Sequence, residues 1–329
     1  MVTVVTSPAD FHQEDLYVDL RQTLGRSLHL KVEGLNLAGS VKLKPAAEMV
    51  AAAEREGILG RDSILIESSS GNLGVALSMI AASKGYRFVC VTDARCSPSS
   101  LRMMRALGAE VRLVRSPHPE RGLLGARIDL VRSLCAADRR YVWLDQYRSA
   151  DNWRSHYHRT APSILRQFPD LDVLFVGTGT GGTLMGCARY LRERRPGARI
   201  VAVDVVGSVS FGGAPGRRMI PGLGTSMVPP LLDRSRVDDV VRVDEADTIR
   251  ACRRLAAGGF LFGGSTGTVV SGALTWLAEA DGDDLTAVAI APDLGERYLD
   301  TVYDERWVSE KYGDQGLGPA ETRPRIRSA

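Results

Sequence analysis

The chain has 329 residues, 44% hydrophobic and 25% charged, a balance that excludes a largely disordered protein and fits one large or two ordinary domains. Its 42 basic and 39 acidic residues leave a net charge of +3, with no concentrated basic stripe of the kind that nucleic acid demands. No segment reaches the roughly 18–20 apolar residues of a membrane span.

Along the chain, short β-branched runs alternate with glycine-rich turns and helical stretches. The acid-bearing first twenty residues contain no apolar run of signal-peptide length, so a cytoplasmic protein is expected. Residues 64–66 read as a strand that enters the turn Ser68-Ser69-Ser70-Gly71-Asn72 and then a helix over 75–84. A strand over 87–91, a helix opening at Ser97 and ending near Gly108, a strand over 111–114, a helix over 125–137 and a strand over 141–144 follow. A second series has a helix over 152–167, strands over 173–176, 200–204, 240–243 and 287–291, and helices over 183–194, 245–257 and 266–279. Strands alternating with helices of this length predict an α/β fold of two doubly wound domains with mainly parallel sheets, divided near residue 150. The five cysteines lack C-x-x-C spacing and the histidines lack ligand spacing, which predicts buried thiols in a reducing compartment and no metal site.

Three of the turns join a strand or loop to a helix start, where unpaired N–H groups suit an anion. The run Gly177-Thr178-Gly179-Thr180-Gly181-Gly182-Thr183 reads as a phosphate cradle. It also satisfies G-x-G-x-x-G, and Asp204 ends the next strand, so a nicotinamide-dependent dehydrogenase stays open at this point. The turn Ser68 to Gly74 suits a carboxylate, and Gly263-Gly264-Ser265-Thr266-Gly267 opens another helix. The remaining signal is a lysine. Only Lys31, Lys42, Lys44, Lys84 and Lys311 occur, against 37 arginines, and Lys42 follows Gly39-Ser40 at an apparent helix start. Lysine can form a Schiff base and arginine cannot.

Taken together, Asn36 to Lys42, Ser70 to Gly74, Gly177 to Thr183, Ile220 to Gly224, Gly263 to Gly267 and Asp293 to Leu299 resemble, in order, segments of the cysteine synthase and cystathionine β-synthase family of pyridoxal-phosphate enzymes. The resemblance runs from about Asn36 to Trp307 and implies the fold-type II architecture shared with tryptophan synthase β. It implies a smaller mobile domain over 38–149, a larger one built from 1–37 and 150–310, and a polar tail over 311–329. On the cofactor, pyridoxal 5'-phosphate, it implies that Lys42 holds it covalently and Asn72 bonds its ring hydroxyl. Gly179, Thr180, Gly181, Gly182 and Thr183 would wrap its phosphate, and Ser265 would face its pyridine nitrogen. Ser69, Ser70 and Gln146 would bind the substrate carboxylate, and the freed Lys42 amine would act as the base at the α-carbon.

Departures from the usual family pattern at Leu43-Lys44, Leu73 and Ser149-Ala150-Asp151 count against plain cysteine synthesis, and Ala38 to Lys44 with Ser70 to Gly74 look more like the siderophore and peptide-antibiotic branch. Members of that branch join O-phosphoserine to L-glutamate on the way to 2,3-diaminopropionate. Such a branch implies amino-acid substrates, a homodimer, a downstream NAD-dependent dehydrogenase acting on the product, and no nucleic-acid or membrane partner. Both substrates are anions, so Lys44, Arg148, Arg217 and Arg218 are candidate cations of the site. A cysteine-making sulfhydrylase is the alternative; a non-catalytic protein of the same fold stands behind it.

Overall fold

The computed structural model describes residues 4–11, 13–280 and 285–313. Beyond Gly313, the expected polar tail lies outside the described residues. Among the described residues, ten strands form two sheets: β1 (Tyr17–Asp19), β2 (His29–Val32), β3 (Ile64–Ser68), β4 (Arg87–Asp93), β5 (Glu110–Val114), β6 (Tyr141–Trp143), β7 (Val173–Gly177), β8 (Arg199–Val205), β9 (Asp239–Val243) and β10 (Ala287–Ala291). The small sheet has the order β5-β4-β3-β6 and the large one β1-β2-β10-β7-β8-β9. Every pairing is parallel except β1 with β2.

Both faces of the central strands are covered, which is why these strands read as continuous apolar runs. In β7, Val173 and Phe175 pack into one apolar cluster while Leu174 and Val176 pack into another on the opposite face. In β3, Leu65 goes to one side, and Ile64 and Ile66 to the other. Each such side chain, once fully buried, contributes about 1.5–3 kcal/mol of transfer free energy.

The two sheets wind in the same way. From β3 the chain moves outward through β4 and β5, then returns as β6 on the other flank of β3. From β7 it moves outward through β8 and β9, then returns as β10 beside β7. The strand order therefore reverses at β3 and at β7, and a crevice opens beyond the carboxyl end of a strand at such a reversal. The turns 68–72 and 177–183 occupy those two positions.

Three local features differ from the sequence expectation. The short strands β1 and β2 had no sequence signal, because three or four residues are too few to display a period. The helix expected over 125–137 runs over Gly122–Ala137. The helix expected over 152–167 is two α-helical pieces, Ala150–Ser155 and Ala161–Gln167, joined by a π-helical turn at His156–Thr160. Such turns are frequent where a helix serves a site. Among the described residues no helix is long and apolar enough to cross a membrane.

Candidate active site

The carboxyl ends of β3 and β7 open on one cleft of about 330 Å³. Lys42, Asn72, Ser69, Ser70, the 179–183 turn and Ser265 all line it, although they come from segments more than two hundred residues apart in sequence. Lys42 stands immediately before the helix Leu43–Arg55, as its N-cap. Burial pulls its amine down to about 8, and the carboxylate of Glu67 pulls in the other direction. A lysine amine so held sheds its proton in mild alkali, well below the range of an exposed lysine, as a nucleophile or base requires.

The 177–183 turn has the shape of an anion cradle. Gly181 adopts φ +86° and, as the N-cap of the helix Gly182–Arg194, offers no side chain to that helix's N-terminus. A Cβ on Gly182 would lie 2.0 Å from Asn152 Oδ1, and one on Gly179 would lie 3.1 Å from the Gly222 carbonyl. Only glycine brings this backbone so close to its surroundings. Thr180 Oγ1 accepts from Asn152 Nδ2 at 3.1 Å and from the Gly182 N–H at 3.4 Å, so its own proton is left to donate. Thr183, one position further into the helix, contacts His156 Nε2 at 3.2 Å. Open backbone N–H groups and hydroxyl donors at a helix start fit a phosphate.

Opposite this turn, Asn72 opens the helix Asn72–Lys84. Its Nδ2 donates to Asp293 Oδ2 at 3.2 Å and its Oδ1 accepts from Arg297 Nη1 at 2.5 Å, which fixes the amide and leaves one N–H for a bound ring. Asp293 also accepts from the Tyr298 hydroxyl at 2.5 Å. Ser265 is buried behind Gly222, where a Cβ would lie 2.1 Å from Ser265 Oγ; a planar ring could approach the serine only past a glycine there. The Lys42 amine, the phosphate cradle and the fixed Asn72 amide thus fit pyridoxal phosphate: an amine for its aldehyde, donors for its phosphate and an amide for its ring hydroxyl.

The candidate carboxylate site rests on Glu67, a residue outside every segment singled out from sequence. Ser69 Oγ accepts from the Gly74 N–H at 2.8 Å, which tightens the turn. Gln146 Nε2 donates to the Ser68 carbonyl at 2.8 Å, and its backbone N–H donates to Glu67 Oε2 at 3.1 Å. Glu67 is fully buried and accepts further from the Ser68 N–H at 2.7 Å and Trp143 Nε1 at 3.1 Å. Burial pushes its carboxyl up to about 7. An acid inside an otherwise apolar parallel strand was the available clue.

Of the four proposed cations, only Arg218 lines the cleft. Lys44 does not reach it, because its ammonium is buried among Glu14 (2.6 Å), Glu33 (2.7 Å) and Thr160 (3.1 Å). Arg148 is 65% exposed and pairs with Asp145 at 3.6 Å, and Arg217 is exposed. Arg95, Arg127 and Arg297 line the cleft as well, the first two from segments without a sequence signal. Arg127 is 4% exposed and pairs through Nε with Asp93 at 3.1 Å, while its Nη1 has no hydrogen-bond partner among the described residues. Arg218 Nη1 donates to the carbonyls of Gly207 and Thr225, and its pKa is lowered by burial and by the charge of Arg95.

A family model described as pyridoxal-phosphate dependent enzyme matches residues 17–293. The chain belongs to this family. The dehydrogenase and non-catalytic readings of the sequence therefore give way to a pyridoxal-phosphate enzyme. Two relatives, from Ralstonia nicotianae and Cupriavidus metallidurans, are each named N-(2-amino-2-carboxyethyl)-L-glutamate synthase. The first is 44% identical over 85% of this chain and 83% of its own length; the second is 43% identical over 89% and 88%. Among solved structures, a lysine-to-alanine variant of O-ureido-L-serine synthase with O-ureido-L-serine bound superimposes with a TM-score of 0.85 at 32% identity, covering 94% of this chain and 98% of that one.

The placement of Lys42 and Glu67 gives this family member a predictable pH response without its cofactor. Lys42 is held below its ordinary value, so between about pH 8 and pH 10.5 the unfolded chain binds more protons than the folded one. Stability contributed by this lysine is thus present at high pH and lost as pH falls through about 8. Glu67 is held above its ordinary value, so its contribution is present at low pH and lost as pH rises through about 7. Between pH 8 and 10, the cofactor-free protein should gain on the order of 1–3 kcal/mol relative to a Lys42→Met variant. Urea unfolding of both proteins at several pH values checks this; parallel pH curves would mean that the amine titrates normally.

Proposed function

We propose that the chain replaces the phosphate of O-phospho-L-serine with the α-amine of L-glutamate, releasing N-(2-amino-2-carboxyethyl)-L-glutamate and inorganic phosphate. The product is a precursor of L-2,3-diaminopropionate for a siderophore or peptide antibiotic. The observation that carries this reading is the cleft wall of Arg95, Arg127 and Arg218, with a buried Arg127 Nη1 that has no hydrogen-bond partner among the described residues. A buried guanidinium N–H group left without a protein acceptor favours an anionic ligand. A phosphate ester and a dicarboxylic amino acid are both anions, whereas an acetyl ester and sulfide ask for no such wall. The names of the two relatives support the same product.

Pyridoxal phosphate, when bound, supplies the electron sink that lets the α-carbon of a serine ester give up its proton. The Lys42 amine, once free, would be placed to take that proton. Ser69, Ser70 and Gln146 hold the substrate carboxylate, and the arginine wall receives the phosphate as the Cβ–O bond breaks. After phosphate leaves, the same cations orient the carboxylates of glutamate, whose unprotonated amine forms the Cβ–N bond. Lys42 then returns a proton to the α-carbon. This reading includes a homodimer, a cytoplasmic location and an NAD-dependent dehydrogenase that consumes the product.

Steady-state assays with O-phospho-L-serine and O-acetyl-L-serine against L-glutamate and sulfide, with phosphate release and product mass as readouts, test the proposal. The phosphate ester with glutamate should be the most efficient pair, with activity rising into mild alkali as the amine of glutamate deprotonates. A higher efficiency with sulfide would make the protein a sulfhydrylase.

A further inference from the structure

Lys44 lies behind the phosphate cradle, and a line of side chains connects the two. Its ammonium can only donate, and it sits among Glu14 Oε2 at 2.6 Å, both carboxylate oxygens of Glu33 at 2.7 and 2.9 Å, and Thr160 Oγ1 at 3.1 Å. Burial by itself would raise the Glu33 carboxyl, but the Lys44 and Lys31 ammonium groups outweigh it and hold it at about 2, so this carboxylate stays charged. Thr160 Oγ1 lies 3.0 Å from His156 Nδ1, and His156 Nε2 lies 3.2 Å from Thr183 Oγ1. Thr160 and His156 are buried, and Thr183 lines the cleft. The π-helical turn at His156–Thr160 is the local deformation that carries both middle members.

We propose that Lys44, Thr160, His156 and Thr183 form a one-way hydrogen-bond relay in which a buried ammonium orients the Thr183 hydroxyl as a donor to the cofactor phosphate. The direction follows from proton counting. An ammonium can only donate, so Thr160 Oγ1 accepts from it and has its single proton for His156 Nδ1. The imidazole is neutral, since burial and the charge of Lys44 bring its pKa down to about 3. A neutral ring that accepts at Nδ1 carries its proton on Nε2. That proton goes to Thr183 Oγ1, and the hydroxyl proton of Thr183 is left to point into the cleft. Each bond polarises the next, so the positive charge is felt at the phosphate while Lys44 itself stays out of reach of substrate. Lys44, Thr160 and His156 are positioning residues, because none of them touches the cofactor.

The inference rests on pyridoxal-phosphate chemistry but not on the identity of the substrates, so its test uses neither of them. Thr160→Val keeps the shape of the side chain and deletes the link; Thr160→Ser keeps the hydroxyl. The full-length chain of each is titrated with pyridoxal phosphate and, separately, with pyridoxal, which lacks the phosphate. Thr160→Val should weaken pyridoxal phosphate about tenfold, or 1.4 kcal/mol, and leave pyridoxal within about twofold, while Thr160→Ser restores the difference. An equal loss for both ligands would overturn the relay in favour of a packing role. Nitrogen-15 chemical shifts of the wild-type protein provide the reading that survives if Thr160→Val does not fold. His156 should be protonated at Nε2 alone, and protonation at Nδ1 would reverse the direction and sink the proposal.

Discussion

Lys42→Ala is expected to lose all covalently held cofactor and to lower turnover by at least about 1,000-fold, the upper range of what a positioned proton-transfer group contributes. Two functions fall together in this substitution. The amine that would hold the cofactor is also the amine placed to move the α-proton, and alanine can do neither. Lys42 is the one lysine of the chain that lines the cleft among the described residues. Reduction of the wild-type protein with borohydride, digestion and mass spectrometry should place the label on the peptide containing Lys42. The variant should carry none. A label that persists in Lys42→Ala would move the linkage to another lysine and with it the register of the whole site.

The second large effect concerns the arginine wall. Arg218→Met should lower kcat/KM for O-phospho-L-serine by about 30-fold or more, since removing one partner of a buried charged contact costs at least about 2 kcal/mol. The same variant should leave O-acetyl-L-serine within about threefold, because that leaving group is uncharged. Arg218 suits this test better than Arg127. Arg127 also neutralises the buried Asp93 at 3.1 Å, so its loss would confound binding with stability, whereas Arg218 donates to the Gly207 and Thr225 carbonyls. Equal losses with both esters would mean that Arg218 shapes the loop and does not recognise charge.

The chain announces some of this site and conceals the rest, for reasons that lie in its geometry. Lys42, Asn72 and the 179–183 turn are legible because the chemistry demands particular residue types at fixed offsets beside a strand or helix end. Their neighbours are legible only by rotation. Lys44 is two helical positions from Lys42, about 200° around the axis, so a cation that seemed adjacent to the cofactor lysine points away from the cleft into the Glu14 and Glu33 pair. Arg148 is close to Gln146 in sequence but faces solvent. Arg95 and Arg127 carried no signal, because one arginine among 37 is unremarked until the fold folds its segment over the cleft. The two sheets followed from apolar runs and glycine turns, whereas the π-helical turn did not, since one extra residue in a helix leaves the hydrophobic pattern nearly unchanged.

The nesting of the sheets has a mechanical corollary. All four strands of the small sheet fall between β2 and β7, so the chain crosses from one sheet to the other twice, once on the way to β3 and once after β6. Lys42 lies on the outgoing crossing and Gln146 on the returning one. A swing of the small sheet would pivot on those two strands of chain. Ser70 and Asn72, at the tip of β3, would ride on the moving arm, while Lys42 would sit near the axle. Grasping a substrate carboxylate with the arm would then shut the cleft against water and leave the lysine almost where it was.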